Sequence, residues 1–336
     1  MYTGSSKAAH TAGCLTKAVK VIKAEEKRLP GLVIKTHSGF YTVQTADGAF
    51  VCQLRGKLKE QSRKLELCVI GDQVTIAVNA DGSGAIETVN PRLRALSRVE
   101  PGGSAGTDAE REQVIVANPD QTLFVFAAAT PAPHTNLLDR FIVMAEKAAI
   151  PSIQIVVNKI DMADPDTIRR LFDPYRVIGY PVWLVSVQAN QGVADVAALL
   201  HDRLSVLTGP SGVGKSSLLN AIQPGLGRAV SRVSHVTHEG RHTTVNSELI
   251  PVAGGGYVAD TPGIRSLSLW DVEPSELDGY FIEFRPYVAL CRFGDCTHAD
   301  EPGCAVRAAV EQGSIDPARY RSYRQLRREL ESEYIY

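Results

Sequence analysis

Gly209-Pro210-Ser211-Gly212-Val213-Gly214-Lys215-Ser216 spells G-x-x-x-x-G-K-S, the spacing of a loop that wraps a phosphate chain. Glycines at 209, 212 and 214 let the backbone turn so that consecutive N–H groups, and the positive end of the following helix, face one anion. Lys215 would reach the outer phosphates and the Ser216 hydroxyl would ligate Mg²⁺. Ser211, Val213 and Ser217 fill out the contact set. The flanks suit this chemistry: Ser205-Val206-Leu207-Thr208 reads as a short strand and Ser217 to Ile222 as a helix, giving strand, loop and helix in order. A glycine-rich turn that happens to precede a helix is the bland alternative, and the complete motif in context argues against it.

A phosphate loop binds a nucleoside triphosphate without choosing its base, so a base reader has to stand elsewhere. Ile153-Gln154-Ile155-Val156-Val157 reads as a buried strand and runs into Asn158-Lys159-Ile160-Asp161. Guanine presents two donors on one edge, and the Asp161 carboxylate could accept both, a charge-assisted contact that adenine cannot reproduce. Asn158 would hydrogen-bond the base and the local loop, and the stem of Lys159 would cover the base face. Ser186, in Ser186-Val187-Gln188 after the strand at 181–185, could add a further base contact. Downstream, Tyr257-Val258-Ala259 leads into Asp260-Thr261-Pro262-Gly263: Asp260 suits the Mg²⁺ side, and the Gly263 N–H can approach the last phosphate. Between the two lies Gly240-Arg241-His242-Thr243-Thr244, whose Thr243 or Thr244 could complete the Mg²⁺ shell.

The order of these motifs is unusual, since in Ras-like GTPases the phosphate loop comes first and the guanine reader near the end. Here N-K-x-D and S-V-Q precede G-x-x-x-x-G-K-S, which describes a circular permutation. Joining the old termini and cutting elsewhere leaves spatial neighbours intact. On these residues the chain resembles the circularly permuted bacterial ribosome-assembly GTPases of the RsgA (YjeQ or YloQ) family.

The remainder of the chain can be tested against that resemblance. With 336 residues, 44% hydrophobic and 22% charged, it is long enough for two or three ordinary domains. A net charge of −1 leaves any nucleic-acid contact to local patches. No apolar run reaches the length of a membrane span. Residues 1–28 read as a basic flexible arm, in which a transit peptide is a lesser reading. Residues 29–96 carry short alternating runs broken by Asp47-Gly48 and Asp81-Gly82, the pattern of a small closed barrel of the OB type. Its Phe40 and Tyr41 could stack bases, and Arg55, Lys57 and Lys59, continued by Arg63 and Lys64, form a basic stretch suited to RNA; the two aromatics could equally be core. Residues 97–113 read as a linker. From 114 to 270, apolar strands alternate with helical stretches such as Leu137 to Ala149 and Val193 to Leu204, the doubly wound α/β class.

The last segment, 271–336, holds Cys291, Cys296, His298 and Cys304. Three thiolates and one imidazole at this spacing fit a tetrahedral structural zinc site with no position open for a water nucleophile. Six cysteines in so long a chain do not make a disulfide framework, which fits a reducing compartment. The helical tail gathers Arg319, Arg321, Arg324, Arg327 and Arg328, a candidate RNA or protein face or simply a solvated run.

The expected fold is therefore an OB-type barrel, a circularly permuted α/β P-loop domain and a helical zinc-binding domain, and the resemblance covers nearly the whole chain. It implies a cytoplasmic hydrolase that binds GTP and GDP with Mg²⁺, carries one structural Zn²⁺, and works in late maturation of the small (30S) ribosomal subunit. The subunit would be both activator and docking site through its 16S-type rRNA, with no membrane involved and the chain a monomer. Ile264 follows Gly263 where Ras-like enzymes keep the glutamine that orients water. The resemblance hands that task to His242. A nucleotide-sensing RNA-binding module with little turnover is the alternative; a P-loop ATPase or kinase is disfavoured by Asp161.

Overall fold

The computed structural model describes residues 27–56, 58, 68–99, 112–227, 229, 247–260 and 272–334. The first part is a closed barrel of β1 (Lys27–His37), β2 (Phe40–Thr45), β3 (Gly48–Leu54), β4 (Gln73–Val78) and β5 (Gly84–Val89). The strands follow the order β1-β2-β3-β5-β4, and β4 returns to pair with β1, which removes every free edge. Val33, Val43, Cys52, Val74, Ile76 and Ile86 fill its interior because alternate residues of a strand point to the same side.

The stretch at 97–113 corrects the linker expectation at both ends. β6 (Ala95–Val99) and β7 (Glu112–Ala117) pair antiparallel as a separate two-stranded sheet. The signal was hidden because glycine and proline at 101–106 dominate the local composition, while Val114-Ile115-Val116 is the apolar half of a strand; Val116 is fully buried.

The central domain is a sheet ordered β10 (Val182–Leu184), β9 (Ile153–Asn158), β8 (Gln121–Ala127), β11 (Leu204–Thr208), β13 (Tyr257–Asp260) and β12 (Ser247–Pro251). All its internal pairings are parallel except β12 with β13. β8 and β9 are buried along their whole length, as expected for strands covered on both faces. Its helices are α1 (Thr135–Lys147), α2 (Pro165–Val177), α3 (Val193–Leu199) and α4 (Lys215–Ile222). α3 stops before the expected Leu204: Asp202 adopts a left-handed turn conformation (φ 55°), and the chain enters β11. Asp164 starts α2 by accepting from the Thr167 N–H at 2.9 Å, with Pro165 in the first turn, a start signal present in the sequence.

The last segment comprises a short turn at Leu277–Tyr280, then α5 (Arg285–Val288), α6 (Ala305–Glu311) and α7 (Pro317–Tyr334). It packs along α1 through Lys147–Glu276 at 3.2 Å and Arg285–Glu146 at 2.8 Å, and through Arg140 with Glu329. Arg319 corrects the expectation of an exposed arginine face. Only 2% of its side chain is exposed, and it bonds Asp139 of α1 at 2.5 Å and Glu283 at 2.7 Å, with the guanidinium 4.5 Å from the Phe281 ring centroid. Burial opposes its charge, and the two carboxylates more than offset this, so its pKa is raised. Helical phase is the cause: Arg319, Tyr323, Leu326 and Leu330 are all buried and share one stripe at three- and four-residue spacing.

Candidate functional site

Two halves of the central sheet diverge between β8 and β11: β8 is followed by β9 on one side, and β11 by β13 on the other. Ligands of open α/β sheets bind at this kind of crevice, beyond the carboxyl ends of the strands. The loop at 209–214 leaves β11 there and enters α4, whose N-cap Gly214 offers no side-chain cap, so the first-turn N–H groups face the loop's hollow. Gly209 has φ 147°, and a Cβ on it would lie 2.0 Å from the Val125 carbonyl oxygen; only glycine lets the loop cross β8 so closely. The Lys215 ammonium donates to the carbonyls of Gly209 at 2.6 Å and Pro210 at 2.7 Å, which holds it over the phosphate hollow. Ser211, Gly212, Ser216 and Ser217 are exposed around it, whereas Val213 is buried as the loop's apolar anchor.

Residues 158–161 are bound to that loop directly. The Asn158 amide donates to the Val213 carbonyl at 3.0 Å, and its oxygen accepts from the Lys159 N–H at 2.8 Å. Lys159, with φ 61°, sends its ammonium to the carbonyls of Thr130 at 2.6 Å and Gly212 at 2.7 Å. A Cβ on Gly214 would lie 2.4 Å from the Asn158 amide nitrogen, so glycine is needed there for two reasons, its positive φ and this close approach. Asp161 stays exposed and accepts from the Ser186 hydroxyl at 2.5 Å. Ser186 is fully buried, and its oxygen takes the Ala189 N–H at 3.0 Å, leaving its hydroxyl hydrogen for Asp161. Ser186 thus stands behind the carboxylate and aims it.

Asp260 closes β13, one residue beyond the Val206–Ala259 pair with β11, which puts its backbone at the same carboxyl edge as the phosphate loop. His242, Thr243, Thr244 and Gly263 lie outside the described residues, as do Lys57 and Lys59. Phe40 is 47% exposed, whereas Tyr41 packs partly into the barrel core. Arg55 pairs with Glu87, which Arg28 also holds at 2.7 Å.

The second cluster joins Cys291, Cys296, His298 and Cys304, whose ligand atoms all lie within 4.8 Å of one another. His298 Nδ1 stands 3.6 Å from Cys291 Sγ and 3.4 Å from Cys304 Sγ, and its Nε2 meets Asp278 at 3.1 Å. A carboxylate behind a histidine fixes its tautomer and ring plane in metal sites. His298 is fully buried; its backbone carbonyl accepts from the Tyr320 hydroxyl at 2.7 Å. Burial and then the neighbouring thiols push the Cys296 thiol up to about 12. This cluster could hold a metal ion.

Glu301 orders the loop that carries His298, accepting from the Thr297 N–H at 2.7 Å, the Thr297 hydroxyl at 2.5 Å and the Ala299 N–H at 3.0 Å. Sequence reasoning passed over it, although an acidic residue beside two zinc-type ligands and a glycine turn is a signal for such a brace.

Comparison with known proteins bears on the whole arrangement. The RsgA GTPase family model matches residues 89–270 and the RsgA N-terminal domain model matches residues 30–86. The chain belongs to the RsgA GTPase family. A relative from Gemmatimonas aurantiaca named small ribosomal subunit biogenesis GTPase RsgA is 45% identical over 303 residues, covering 89% of this chain and 97% of that protein. The crystal structure of YjeQ from Thermotoga maritima matches with a TM-score of 0.74 at 36% identity, over 90% of this chain and 99% of that one. YloQ, described as a circularly permuted GTPase, matches at 0.70 and 32% identity over 91% and 96%. The family model begins at residue 89, so it takes β6 and β7 into the GTPase part and begins well before residue 114.

Proposed function

We propose that this chain binds GTP with Mg²⁺ at the carboxyl edge of β8, β9, β11 and β13, hydrolyses it, and serves maturation of the small ribosomal subunit. The observation that carries the reading is the contact of Asn158 with Val213 at 3.0 Å: base reader and phosphate loop form one hydrogen-bonded unit although the chain order is permuted. Lys215 and the first-turn N–H groups of α4 hold the phosphates, and Asp161, braced by Ser186, selects guanine. Ser216 and Asp260, with Thr243 or Thr244, would hold Mg²⁺, which supplies charge neutralisation on the phosphate oxygens. Gly263 donates its N–H to the last phosphate. With Ile264 unable to orient water, His242 takes that role.

The Cys291, Cys296, His298 and Cys304 set suits structural zinc, since three thiolates and one imidazole satisfy a tetrahedral ion and leave no open position. Metal analysis of protein prepared without chelators then gives about one zinc per chain. The partners are the small subunit and its rRNA, approached through Phe40, Tyr41, Arg55, Lys57 and Lys59 of the barrel. The chain acts as a cytoplasmic monomer. Among the described residues no helix is long and apolar enough to cross a membrane.

Steady-state GTP turnover with and without purified small subunits tests the function. The expected result is slow intrinsic hydrolysis with strong stimulation. Binding of GTP with no turnover in either condition would favour instead a nucleotide-sensing module, the reading that Ile264 keeps open.

A further inference from the structure

Among the described residues the barrel and the central domain share one strand pairing, β1 with β12, in which Lys35 stands opposite Glu248 and Thr36 opposite Ser247. On the other edge of β12, Glu248 stands opposite Asp260 of β13. Lys35, Glu248 and Asp260 therefore lie in one row across three antiparallel strands, running from the barrel wall to the carboxyl edge of the nucleotide site. At normal strand spacing the row spans about 10 Å. The Lys35 ammonium donates to Glu248 Oε2 at 3.0 Å, with the two side chains 46% and 34% exposed.

β1 is a shared wall and cannot follow either body alone. Val33 faces the barrel core, while Leu32 and Ile34 pack against the main core that includes Leu249 of β12 and Ala259 of β13. The chain around β12 gives the row its consequence. Thr243 and Thr244 precede Ser247 by four and three residues, and Asp260 ends the next strand. Asp260, assigned above to the Mg²⁺ side, thus ends the strand paired with β12, and Lys35 holds β12 from its other edge. The guanine reader and phosphate loop are tied to each other on β9 and β11 through Asn158–Val213 and Lys159–Gly212, contacts in which β12 has no part.

We propose that Lys35 is a positioning residue for the triphosphate state: through Glu248 it keeps β12 in register with β13, and so sets Asp260 relative to the phosphate loop. The same link makes the barrel's attitude and the γ-phosphate side of the site thermodynamically coupled, each biasing the other. This rests on the reading of Asp260 as a Mg²⁺-side carboxylate.

The test is a charge exchange read by binding. Affinities for GDP and for a non-hydrolysable GTP analogue, both with Mg²⁺, are measured for the wild type, Lys35→Glu, Glu248→Lys and the double variant Lys35→Glu/Glu248→Lys. An exposed ion pair supports effects of up to about fivefold in an equilibrium. Each single variant should lose about that factor for the analogue while GDP stays within about twofold, and the double variant should regain wild-type affinity. Equal losses for both nucleotides would show a merely structural pair and overturn the proposal, as would unchanged single variants or a double variant without rescue. Because the readout is binding, a wild type that holds GTP without turnover would defeat the hydrolase reading, whereas the selective loss and its rescue would still support the role of Lys35.

Discussion

Asp161 depends on a side chain that never needs to touch the base. Its carboxylate oxygen takes the Ser186 hydroxyl at 2.5 Å, and the Ser186 oxygen is in turn held by the Ala189 N–H at 3.0 Å, so the second carboxylate edge is presented in a fixed plane. On the proposed reading, two charge-assisted bonds to the guanine donors would follow from that plane. In Asp161→Asn the amide nitrogen meets those donors head-on but can donate to the oxo group that xanthine carries at the same position. The expected result is a loss of GTP affinity of about tenfold to a hundredfold, from guanine donors left facing an amide nitrogen, with a gain for xanthosine triphosphate. Titration of both nucleotides decides it, and unchanged GTP binding would remove Asp161 from its role. This part of the site was legible in the sequence because each motif is local: four to eight consecutive residues carry both the chemistry and the turn that presents it. Glu301, Ser186 as a brace and the Gly214–Asn158 contact were less visible, since each acts through a neighbour that only the fold supplies.

Elements show the same division. β8, β9 and β11 announced themselves as apolar runs, and the five barrel strands as alternations ended by turn residues. β6 and β7 did not, because their pairing joins segments on either side of a glycine-rich stretch. One of the α7 arginines, Arg319, departed from expectation for a different reason, whereas Arg321 and Arg328 are exposed as a solvated run would be. Charge content describes a helix as a whole, whereas burial follows phase, and Arg319 sits on the stripe of Tyr323, Leu326 and Leu330. Its two carboxylate partners lie 36 and 180 residues away. The zinc-type loop offers a measurable case at this scale. Burial alone would raise the Glu301 carboxyl, but the Thr297 hydroxyl and the loop N–H groups outweigh it and hold the group at about 2, against 4.5 ordinarily. A depressed carboxyl stabilises the fold above its unfolded value, so this contribution is present above about pH 4.5 and is lost as pH falls toward 2. Glu301→Gln keeps the shape with a single acceptor oxygen and should cost the cysteine–histidine module about 1–2 kcal/mol at pH 7. Thermal unfolding at pH 7 and pH 4 checks it: the deficit should shrink at the lower pH, and a pH-independent deficit would contradict the assignment.

At the scale of the whole molecule the nucleotide site stands between two attached bodies. The barrel reaches it through β1 and β12, and the zinc-type module grips α1 through Glu276, Arg285 and Arg319, while the loop before α1 meets the site at Thr130 through Lys159. A particle that touches barrel and module together could therefore act on the site from both sides. The chemistry would still need a group to orient the attacking water, and Ile264 offers none. His242 precedes Ser247, the first residue of β12, by five residues, so a docked subunit that fixes β12 would shorten the tether on which this histidine is carried. Supplying order to a catalytic group is how activators reach stimulation of up to ~10⁵ in other switch GTPases. His242→Ala should then bind GTP and the small subunit as the wild type does, and its intrinsic rate should change little. Its subunit-stimulated rate should fall by about 10²–10⁴, the range general-base or positioning groups supply. Single-turnover hydrolysis on saturating subunits measures this directly, and full stimulation in the variant would mean that another group, from this chain or from the subunit, positions the water.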